Sequence, residues 1–368
     1  MLLFTLEPQS PFATALAAAL GVPLALHEDR IFVDGECKLR PLVDPRGADA
    51  YVVHSLHGGP DLSPHDKLAR LLIFIATLRD HGAARVTAVV PYLAYARKDR
   101  QTKPWDPLTL RYVAQLFEAV GTAQIIVLEA HNVAAFQNAF RIPTMHLEAH
   151  RAFDAFASEI APSGPLAVAS PDPGGVKRAQ LWREALEQRL GREVGFAMID
   201  KRRSAGLVSG GELVAGDVAG ATVLLLDDLI ASGETMSRAA SALRRVGAAQ
   251  VLACAAHGLF IAPAAAVLAA CRTLGVDSEN VPQRGQFLPD SPPTIPKSDR
   301  LLEHESIARV LVTDSVPPFR IDPASPVRHK LRVVSGAPLF AQAIQASHAA
   351  WLGKAMTGDA SAAAARAT

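Results

Sequence analysis

The chain has 368 residues, of which 37 are basic and 36 acidic, so its formal net charge of +1 excludes a general electrostatic attraction to nucleic acid or to membranes. Hydrophobic residues make up 49% of the chain and charged residues 20%, which is typical of a globular enzyme long enough for two domains. The three cysteines fit neither a disulfide framework nor a zinc site. With no basic segment before the apolar patches of the N-terminus and no run of about 18 apolar residues, the sequence predicts a cytoplasmic protein without a membrane segment.

Apolar runs rich in β-branched residues alternate along the chain with longer Ala/Leu-rich stretches of helical period. This alternation predicts an α/β fold in which each half is a mainly parallel open sheet with helices on both faces. The predicted elements, in chain order, are a helix at 68–81, a strand at 86–91, a helix at 108–120, strands at 124–128, 166–170, 221–226, 308–312 and 331–334, and a helix at 338–351.

The pattern also predicts the domain boundaries. We expect a first domain at 1–152 and a second at 153–325, followed by a strand and helix at 326–354 and a frayed, disordered tail at 355–368. Within the second domain, residues 277–301 are rich in Pro, Ser and charged side chains and have little periodicity. This segment is predicted to be a surface excursion or a disordered loop.

The most informative segment is an apolar strand, Val223–Leu226, that runs into Asp227 and Asp228 and then into a turn of small residues before a helix. Backbone amides of such a turn, with the hydroxyls of Ser232 and Thr235, can bind a phosphate. The two carboxylates can accept hydrogen bonds from a sugar. An ordinary connection in which the Asp and Ser side chains only cap the helix remains the alternative.

Two segments of the first half also carry charge next to strands. The turn Asp34–Glu36 has two carboxylates around a glycine, and a hairpin turn with a solvated Glu would explain it equally well. The strand before Pro91 leads to Arg97 and Lys98, which could grip a polyphosphate at the carboxyl end of a sheet. A solvated charge run is the alternative there.

Three further segments place metal-ligating or basic side chains after strands. His131 could hold Mg²⁺ directly or through water, although a structural histidine is the commoner explanation. Asp172 lies between two prolines and before Gly-Gly, which favours a rigid turn for an anion and a metal. Lys201 and Arg203 are predicted to lie on a mobile basic loop that neutralises charge on a transferred phosphoryl group, or else on an exposed charged hairpin.

From about Ile31 to about Ala349, the order of these segments resembles the ribose-phosphate diphosphokinase family, also called ribose-phosphate pyrophosphokinase or PRPP synthetase. The resemblance implies two similar phosphoribosyltransferase-like domains and a reaction that transfers the β,γ-diphosphoryl group of ATP to the anomeric hydroxyl of ribose 5-phosphate, with Mg²⁺ as cofactor. The matching segments are the DGE turn Asp34–Glu36, the PYxxYARxDR segment Pro91–Arg100, His131, the SPDxGG turn Ser170–Gly175, the DKRR segment Asp200–Arg203 and the DD loop Asp227–Thr235.

The resemblance also implies a role for individual residues. ATP contacts are implied for Phe32, Asp34, Gly35, Glu36, Arg97 and Lys98, and Mg²⁺ contacts for His131 and Asp172. Ribose 5-phosphate contacts are implied for Asp227, Asp228, Ala231, Ser232, Gly233, Glu234 and Thr235, and transition-state stabilisation for Lys201 and Arg203. The Asp34–Glu36 turn is expected to complete the site of a neighbouring subunit, which implies a homo-oligomer built from dimers.

The chain departs from the family at several of these positions. It has Ala231-Ser232 where the family has an acidic residue and Thr, Glu234 where Gly is common, and Lys98 where Gln is frequent. A carboxylate at position 234 opposes phosphate binding unless it points away or pairs with a cation such as Arg238. The alternatives are a phosphoribosyltransferase, a regulatory non-catalytic paralogue, and a diphosphokinase for another ribose-phosphate acceptor.

Overall fold

The computed structural model describes residues 1–7, 9–160, 164–204, 207–261 and 299–366, with the side chains of Ser158, 201–212 and 354–366 left out. Most of the predicted excursion at 277–301 therefore lies outside the described residues. The chain divides into two compact units, the first made of Met1–Ala149 with Ser335–Thr368 and the second of His150–Val334. The prediction placed the first boundary a few residues later, within the helix that opens the second unit.

Helices and strands alternate along most of the described chain, as the sequence pattern predicts. The helices are α1 (Pro11–Leu20), α2 (Pro64–Asp80), α3 (Thr109–Ala119), α4 (Val133–Ala139), α5 (His150–Ile160), α6 (Val176–Leu190), α7 (Glu234–Arg245), α8 (Arg300–Glu303) and α9 (Ala337–Arg366). The strands are β1 (Leu2–Thr5), β2 (His27–Ile31), β3 (Cys37–Pro41), β4 (Asp49–Val53), β5 (Arg85–Val90), β6 (Gln124–Leu128), β7 (Thr144–Leu147), β8 (Leu166–Ser170), β9 (Gly195–Ser204), β10 (Leu207–Ala215), β11 (Thr222–Ile230), β12 (Gln250–Gly258), β13 (Arg309–Thr313) and β14 (Leu331–Val334).

The first unit contains a parallel sheet of five strands in the order β1-β4-β5-β6-β7. Strands β4 to β6 are buried along almost their whole length, as continuous apolar runs in a parallel sheet are expected to be. Strands β2 and β3 form a separate antiparallel hairpin. This hairpin is attached to α2, because Leu39 lies in the core of the unit and Asp29 forms an ion pair with Arg70.

Helix α2 begins four residues before the predicted helix at 68–81, because a capping box precedes it. The Ser63 hydroxyl accepts a hydrogen bond from the Asp66 amide, and the Asp66 carboxylate accepts one from the Ser63 amide. Pro64 occupies the first helical position, where its missing N–H costs nothing. The apolar residues that α2 buries in the core include Leu71, Phe74, Ile75 and Leu78.

The second unit contains a sheet of seven strands in the order β10-β9-β8-β11-β12-β13-β14, in which only β9 and β10 are antiparallel. In the sheet, β8 lies between β9, the next strand in the sequence, and β11. The strand order therefore reverses between β8 and β11. In open α/β sheets, ligands bind outside the carboxyl ends of the strands at such a reversal.

Two strands of this sheet extend further than predicted. The strand predicted at 221–226 continues as β11 to Ile230, because Asp227 and Leu229 pair with Ala255 and His257 of β12. The segment around Lys201 is not the predicted loop either. It belongs to β9, whose backbone pairs with β10 as far as Ser204 and so satisfies its hydrogen-bonding groups.

The structure divides the C-terminal segment between the two units. Strand β14 pairs with β13, whereas α9 belongs to the first unit, where the Phe340 and Phe12 rings meet edge-on at 5.2 Å. Helix α9 continues to Arg366 through the Ala-rich stretch predicted as a frayed tail, in keeping with the high helix propensity of alanine. Among the described helices, none is long and apolar enough to cross a membrane.

Candidate active site

The loop between β11 and α7 has the backbone geometry of an anion site. Gly233 adopts a left-handed conformation with φ of 82°, and the first helical hydrogen bond runs from the Ser237 amide to the Gly233 carbonyl at 2.9 Å. The amides of the first turn therefore have no acceptor within the helix. The half-buried Ser232 and Thr235 supply hydroxyl groups beside them. Such a turn suits a phosphate group.

Two other segments of the second unit contact this loop. The Ile261 amide donates to the Ala231 carbonyl at 2.8 Å, and Gly233 lies against Leu301 of α8. A Cβ atom at position 233 would be 2.9 Å from the Leu301 Cβ, closer than real contacts allow. Glycine is therefore required at position 233 both by its backbone conformation and by the close approach of α8.

We expect Gly233→Ala to lower the free energy of unfolding by about 1–3 kcal/mol, because it adds left-handed strain and a steric clash. Urea unfolding followed by circular dichroism measures the change. Gly220→Ala is the matched control, since Gly220 has φ of 69° but no atom within 4 Å of an added Cβ. Equal losses in the two variants would contradict a clash with Leu301.

The two carboxylates before the loop lie side by side in a buried environment. The Asp228 amide donates to Asp227 Oδ1 at 2.8 Å, and Asp228 is 6% exposed. Burial and the charge of Asp228 raise the pKa of Asp227 well above its ordinary value. Arg178 Nη1 of α6 lies 3.9 Å from Asp228 Oδ1 and compensates part of this charge. The pair is therefore suited to donors such as sugar hydroxyls, or to a cation.

The Asp172 turn lies next to this pair, across the reversal in strand order. Asp172 Oδ1 accepts hydrogen bonds from the Gly174 and Gly175 amides at 2.9 and 3.2 Å, and the Ser170 hydroxyl donates to the Asp172 carbonyl at 2.6 Å. A Cβ atom at Gly175 would lie 3.9 Å from the Leu226 carbonyl oxygen. Among the described residues, no hydrogen bond reaches Asp172 Oδ2. An oxygen of this kind fits Mg²⁺, which prefers oxygen ligands.

In the first unit, Arg97 and Lys98 follow a residue in a strained conformation. Tyr95 has φ of 67°, and its hydroxyl forms a hydrogen bond with His65 Nδ1 at the start of α2. The Lys98 amide donates to the Tyr95 carbonyl at 3.2 Å. Arg97 is exposed, whereas the Lys98 ammonium lies 2.5 Å from Asp106 Oδ2.

The turn that carries His131 is joined to the Arg97–Lys98 segment. Asn132 caps α4 through Oδ1, and its Nδ2 donates to Asp99 Oδ2 at 2.8 Å. Glu129 has φ of 43° and is buried, and its Oε2 accepts from the Ala149 amide at 2.8 Å. His131 itself is exposed at the carboxyl end of β6. The structure therefore brings the His131 and Lys98 turns together at one edge of the first sheet.

The predicted adenine-binding turn is the exposed tip of the β2–β3 hairpin. Asp34 Oδ1 accepts from the Glu36 amide at 3.1 Å, and Gly35 has φ of 90°. Phe32 is 40% exposed, with the Arg30 guanidinium 4.9 Å from its ring centroid, and Val33 is fully exposed. An aromatic ring and two carboxylates are thus available at the surface of the hairpin.

The predicted catalytic residues Lys201 and Arg203 lie within β9, and their side chains are outside the described part. Their backbones pair with Glu212 and Val208 of β10, and the register shifts between these two positions. Among the residues that the structure describes, no three His, Cys, Asp or Glu side chains form a cluster suited to a metal ion.

Sequence reasoning missed several residues that contact the predicted site. Arg178 approaches Asp228, and the basic start of its helix was the only signal for this contact. Asp106 approaches Lys98 from eight residues away in an irregular polar loop, where no periodic pattern indicates proximity. His65 reaches Tyr95 from the start of α2, and such a contact has no sequence signal at all.

Comparison with known proteins identifies both halves of the chain. Residues 1–121 match the protein-family model for the N-terminal domain of ribose phosphate pyrophosphokinase, and residues 143–262 match the phosphoribosyl transferase domain. A ribose-phosphate pyrophosphokinase of Caldanaerobacter subterraneus is 33% identical over 347 residues, which cover 94% of this chain and 94% of that protein. The chain belongs to the ribose-phosphate pyrophosphokinase family.

Two other relatives agree with this assignment. The ribose-phosphate pyrophosphokinase of Prochlorococcus marinus is 32% identical over 94% of this chain and 90% of its own length. The crystal structure of phosphoribosylpyrophosphate synthetase from Mycobacterium smegmatis is 29% identical and has a TM-score of 0.73, covering 94% of this chain and 98% of that one. The family resemblance and the fold of two phosphoribosyltransferase-like domains are thereby confirmed.

Proposed function

We propose that this pyrophosphokinase transfers the diphosphoryl group of ATP to the anomeric hydroxyl of ribose 5-phosphate, giving 5-phosphoribosyl 1-diphosphate and AMP for nucleotide biosynthesis. The observation that carries the proposal is the presence of both family domains in one chain. A phosphoribosyltransferase needs only the second. The N-terminal match, together with the charged strand ends of the first unit, therefore favours diphosphoryl transfer over phosphoribosyl transfer.

In the second unit, the acceptor is bound by the β11–α7 loop. The amides and hydroxyls of Ala231–Thr235 hold the 5-phosphate of the sugar at the start of α7, where the helix dipole also favours an anion. Asp227 and Asp228 accept hydrogen bonds from the ribose hydroxyls. Their mutual repulsion in a buried environment supports this role, because hydroxyl donors stabilise both carboxylates when the sugar binds.

The donor nucleotide is bound by the first unit. Arg97 and Lys98 contact the ATP phosphates, Arg97 through its planar fork and Lys98 as a point charge. Phe32, with Asp34, Gly35 and Glu36 of the hairpin tip, contacts adenine. The exposure of Phe32 and Val33 supports this role and agrees with a tip that reaches into the site of a neighbouring subunit.

Asp172 of the second unit, through an oxygen, and His131 of the first unit, directly or through water, would each be a residue that holds Mg²⁺. When bound, the ion neutralises negative charge on the phosphate oxygens. Asp172 supports this assignment, because its Oδ1 is fixed by two amides while Oδ2 accepts no hydrogen bond within the described chain. Lys201 and Arg203 stabilise the charge that develops during transfer. The protein contributes positioning and charge neutralisation, and no covalent intermediate is required.

The unusual Glu234 is compatible with phosphate binding because its side chain is exposed. Arg238 does not neutralise it by an ion pair in the described structure, since its Nε donates to the Glu234 carbonyl at 3.3 Å. Water screens the repulsion between an exposed carboxylate and a phosphate. The expected consequence is a weaker hold on the acceptor phosphate, with ribose 5-phosphate still the substrate.

The proposal includes a homo-oligomer built from dimers and a cytoplasmic location. The hairpin tip with its exposed apolar residues supports the oligomer. The few cysteines support a reducing compartment, and the nearly neutral chain gives no reason to expect nucleic acid as a partner.

The test is to incubate the purified protein with ATP, Mg²⁺ and ribose 5-phosphate and to separate the products by anion-exchange chromatography. We expect AMP and the diphosphorylated sugar in equal amounts, and neither when the sugar is omitted or EDTA is added. Formation of a nucleotide from 5-phosphoribosyl 1-diphosphate and a free nucleobase would instead identify a phosphoribosyltransferase. Absence of AMP across phosphate and metal concentrations would refute the proposal and leave the regulatory paralogue.

A further inference from the structure

The segment from Lys98 to Asp106, here called the 98–106 loop, closes on one carboxylate oxygen. Asp106 Oδ2 accepts hydrogen bonds from Lys98 Nζ at 2.5 Å, from the Thr102 hydroxyl at 2.7 Å, and from the Thr102 and Lys103 amides at 3.0 Å each. The Asp106 backbone forms two more hydrogen bonds. Its amide donates to the Lys103 carbonyl at 3.2 Å, and its carbonyl accepts from Gln101 Nε2 at 2.9 Å.

This arrangement is more than a surface ion pair. Four donors share one acceptor atom, and two of them are consecutive backbone amides, so the carboxylate determines the path of the loop as well as the position of the lysine. The Lys98 ammonium, followed by the Thr102 hydroxyl, holds the pKa of Asp106 far below its ordinary value. The carboxylate therefore stays ionised at every pH at which an enzyme of this kind works.

The loop also carries a residue in a strained conformation. Trp105, next to Asp106, has φ of 64° and is 96% exposed, so no packing of its own side chain explains that backbone. A bulky residue adopts the left-handed region only when the surrounding structure imposes it. The hydrogen bonds that converge on the adjacent Asp106 are contacts of this kind.

We propose that Asp106 is a positioning residue, which holds the Lys98 ammonium in the place where it meets the phosphates of a nucleoside triphosphate. The inference rests on the proposed function, in which Lys98 contacts ATP. Lys98 keeps donor capacity for a phosphate, because an ammonium has three N–H groups and its other described contact, to Thr102 Oγ1, is a long one of 3.4 Å. The Lys98 side chain is also 32% exposed and can be reached by a ligand.

The energetic reason is preorganisation. A lysine side chain that moves freely in the unbound enzyme must be ordered when the nucleotide binds, which lowers affinity by about two- to tenfold. The tether to Asp106 orders the chain beforehand. Repulsion between Asp106 and the nucleotide acts in the opposite direction, but four donors already compensate the charge of this carboxylate, so we expect ordering to dominate.

The tether depends on the charge and the length of the Lys98 side chain. A neutral amide cannot form an ion pair with Asp106, and a shorter side chain needs less ordering. The combination of lysine at position 98 with the carboxylate at position 106 therefore adds a charged phosphate contact and the tether that makes it effective.

The main experiment compares steady-state kinetics of Asp106→Asn and the wild type at constant ionic strength. We expect the KM for ATP to rise about two- to tenfold, while kcat and the KM for ribose 5-phosphate stay within about twofold. Asp44→Asn is the matched control, because Asp44 is also a loop carboxylate that accepts from a backbone amide and a nearby cation, both of Arg46. An unchanged or lower KM for ATP in Asp106→Asn would overturn the proposal.

A double-mutant cycle shows whether Asp106 acts through Lys98. In a Lys98→Met background, Asp106→Asn should change the KM for ATP by less than about twofold. An effect of the same size as in the wild type would mean that Asp106 only stabilises the loop, which overturns the proposal. Thr102→Val, which removes one donor and leaves the carboxylate, provides a second test if Asp106→Asn does not fold. It should raise the KM for ATP by a smaller factor, and no rise would count against the inference.

The cycle also separates this inference from the proposed function. If the wild type forms AMP but Lys98→Met leaves the KM for ATP unchanged, the assignment of Lys98 to the ATP phosphates fails and the inference fails with it. If Lys98→Met raises the KM for ATP and Asp106→Asn does not, only the tether is wrong. If the wild type forms no AMP, the proposed function itself is refuted.

Discussion

Replacing Lys201 by alanine is expected to reduce kcat by about 10²- to 10³-fold while leaving the fold intact. The ammonium is assigned to charge that develops on the transferred group, and an interaction made mainly in the transition state affects kcat more than KM. The backbone bonds of β9 to β10 do not depend on this side chain. Initial-rate assays of AMP formation, with circular dichroism as a check of folding, measure the effect.

Arg189→Ala is a suitable control for Lys201→Ala, since Arg189 is an exposed cation in the last turn of α6 and should leave kcat unchanged. Arg203→Ala should reduce kcat in the same direction. Because both cations are proposed to act on one transition state, the double variant should lose less than the product of the two single losses. Survival of near wild-type turnover in Lys201→Ala would show that the basic segment of β9 has another role.

Asp227→Asn is expected to lower kcat/KM for ribose 5-phosphate by about ten- to a hundredfold and, at the same time, to make the protein more stable. The lost activity reflects the loss of charge-assisted hydrogen bonds to the sugar. The gained stability, about 0.5–2 kcal/mol at neutral pH, reflects the removal of a buried charge that faces Asp228. The same substitution is therefore expected to weaken sugar binding and to raise the free energy of unfolding of the protein.

The pH dependence of that stability gain follows from the direction of the pKa shift. The pKa of Asp227 is raised in the folded protein, so below the unfolded pKa both states are protonated and the wild type carries no penalty. The penalty grows as the pH rises from the unfolded pKa to the raised pKa, because only the unfolded state ionises in that interval, and it is fully present above the raised pKa. The stability advantage of Asp227→Asn should thus be small at pH 4.5 and larger at pH 8.5 in urea unfolding. Asp217→Asn, at an exposed turn, should show no such increase, and a pH-independent difference in Asp227→Asn would refute the explanation.

The buried strands were the most predictable part of the fold. The strands predicted at 124–128, 166–170 and 331–334 coincide with β6, β8 and β14. The first two are short apolar runs bounded by polar or turn-forming residues, a pattern typical of strands in a parallel sheet. Strand ends that depend on a neighbour were less predictable, because the extension of β11 to Ile230 follows from its pairing with β12.

The basic segment at Lys201 illustrates a second limit. Consecutive charges after an apolar strand predict a loop, because charged residues rarely lie in buried strands. Pairing with β10 nevertheless keeps the backbone of Lys201 and Arg203 extended. The charge run therefore did not predict the local structure of this segment.

The sequence by itself determined the α/β class, the family and the order of the charged strand ends, because apolar periodicity and short motifs depend only on nearby residues. Tertiary structure alone decided the contacts of Asp106 with Lys98, Arg178 with Asp228 and Leu301 with Gly233. The last two contacts join residues from different elements and depend on how strands pair and how helices pack, whereas the first is made inside an irregular loop that has no periodic pattern. The chemical groups of the candidate site were thus predictable from the sequence, whereas the contacts and the pKa shifts of these groups depend on the fold.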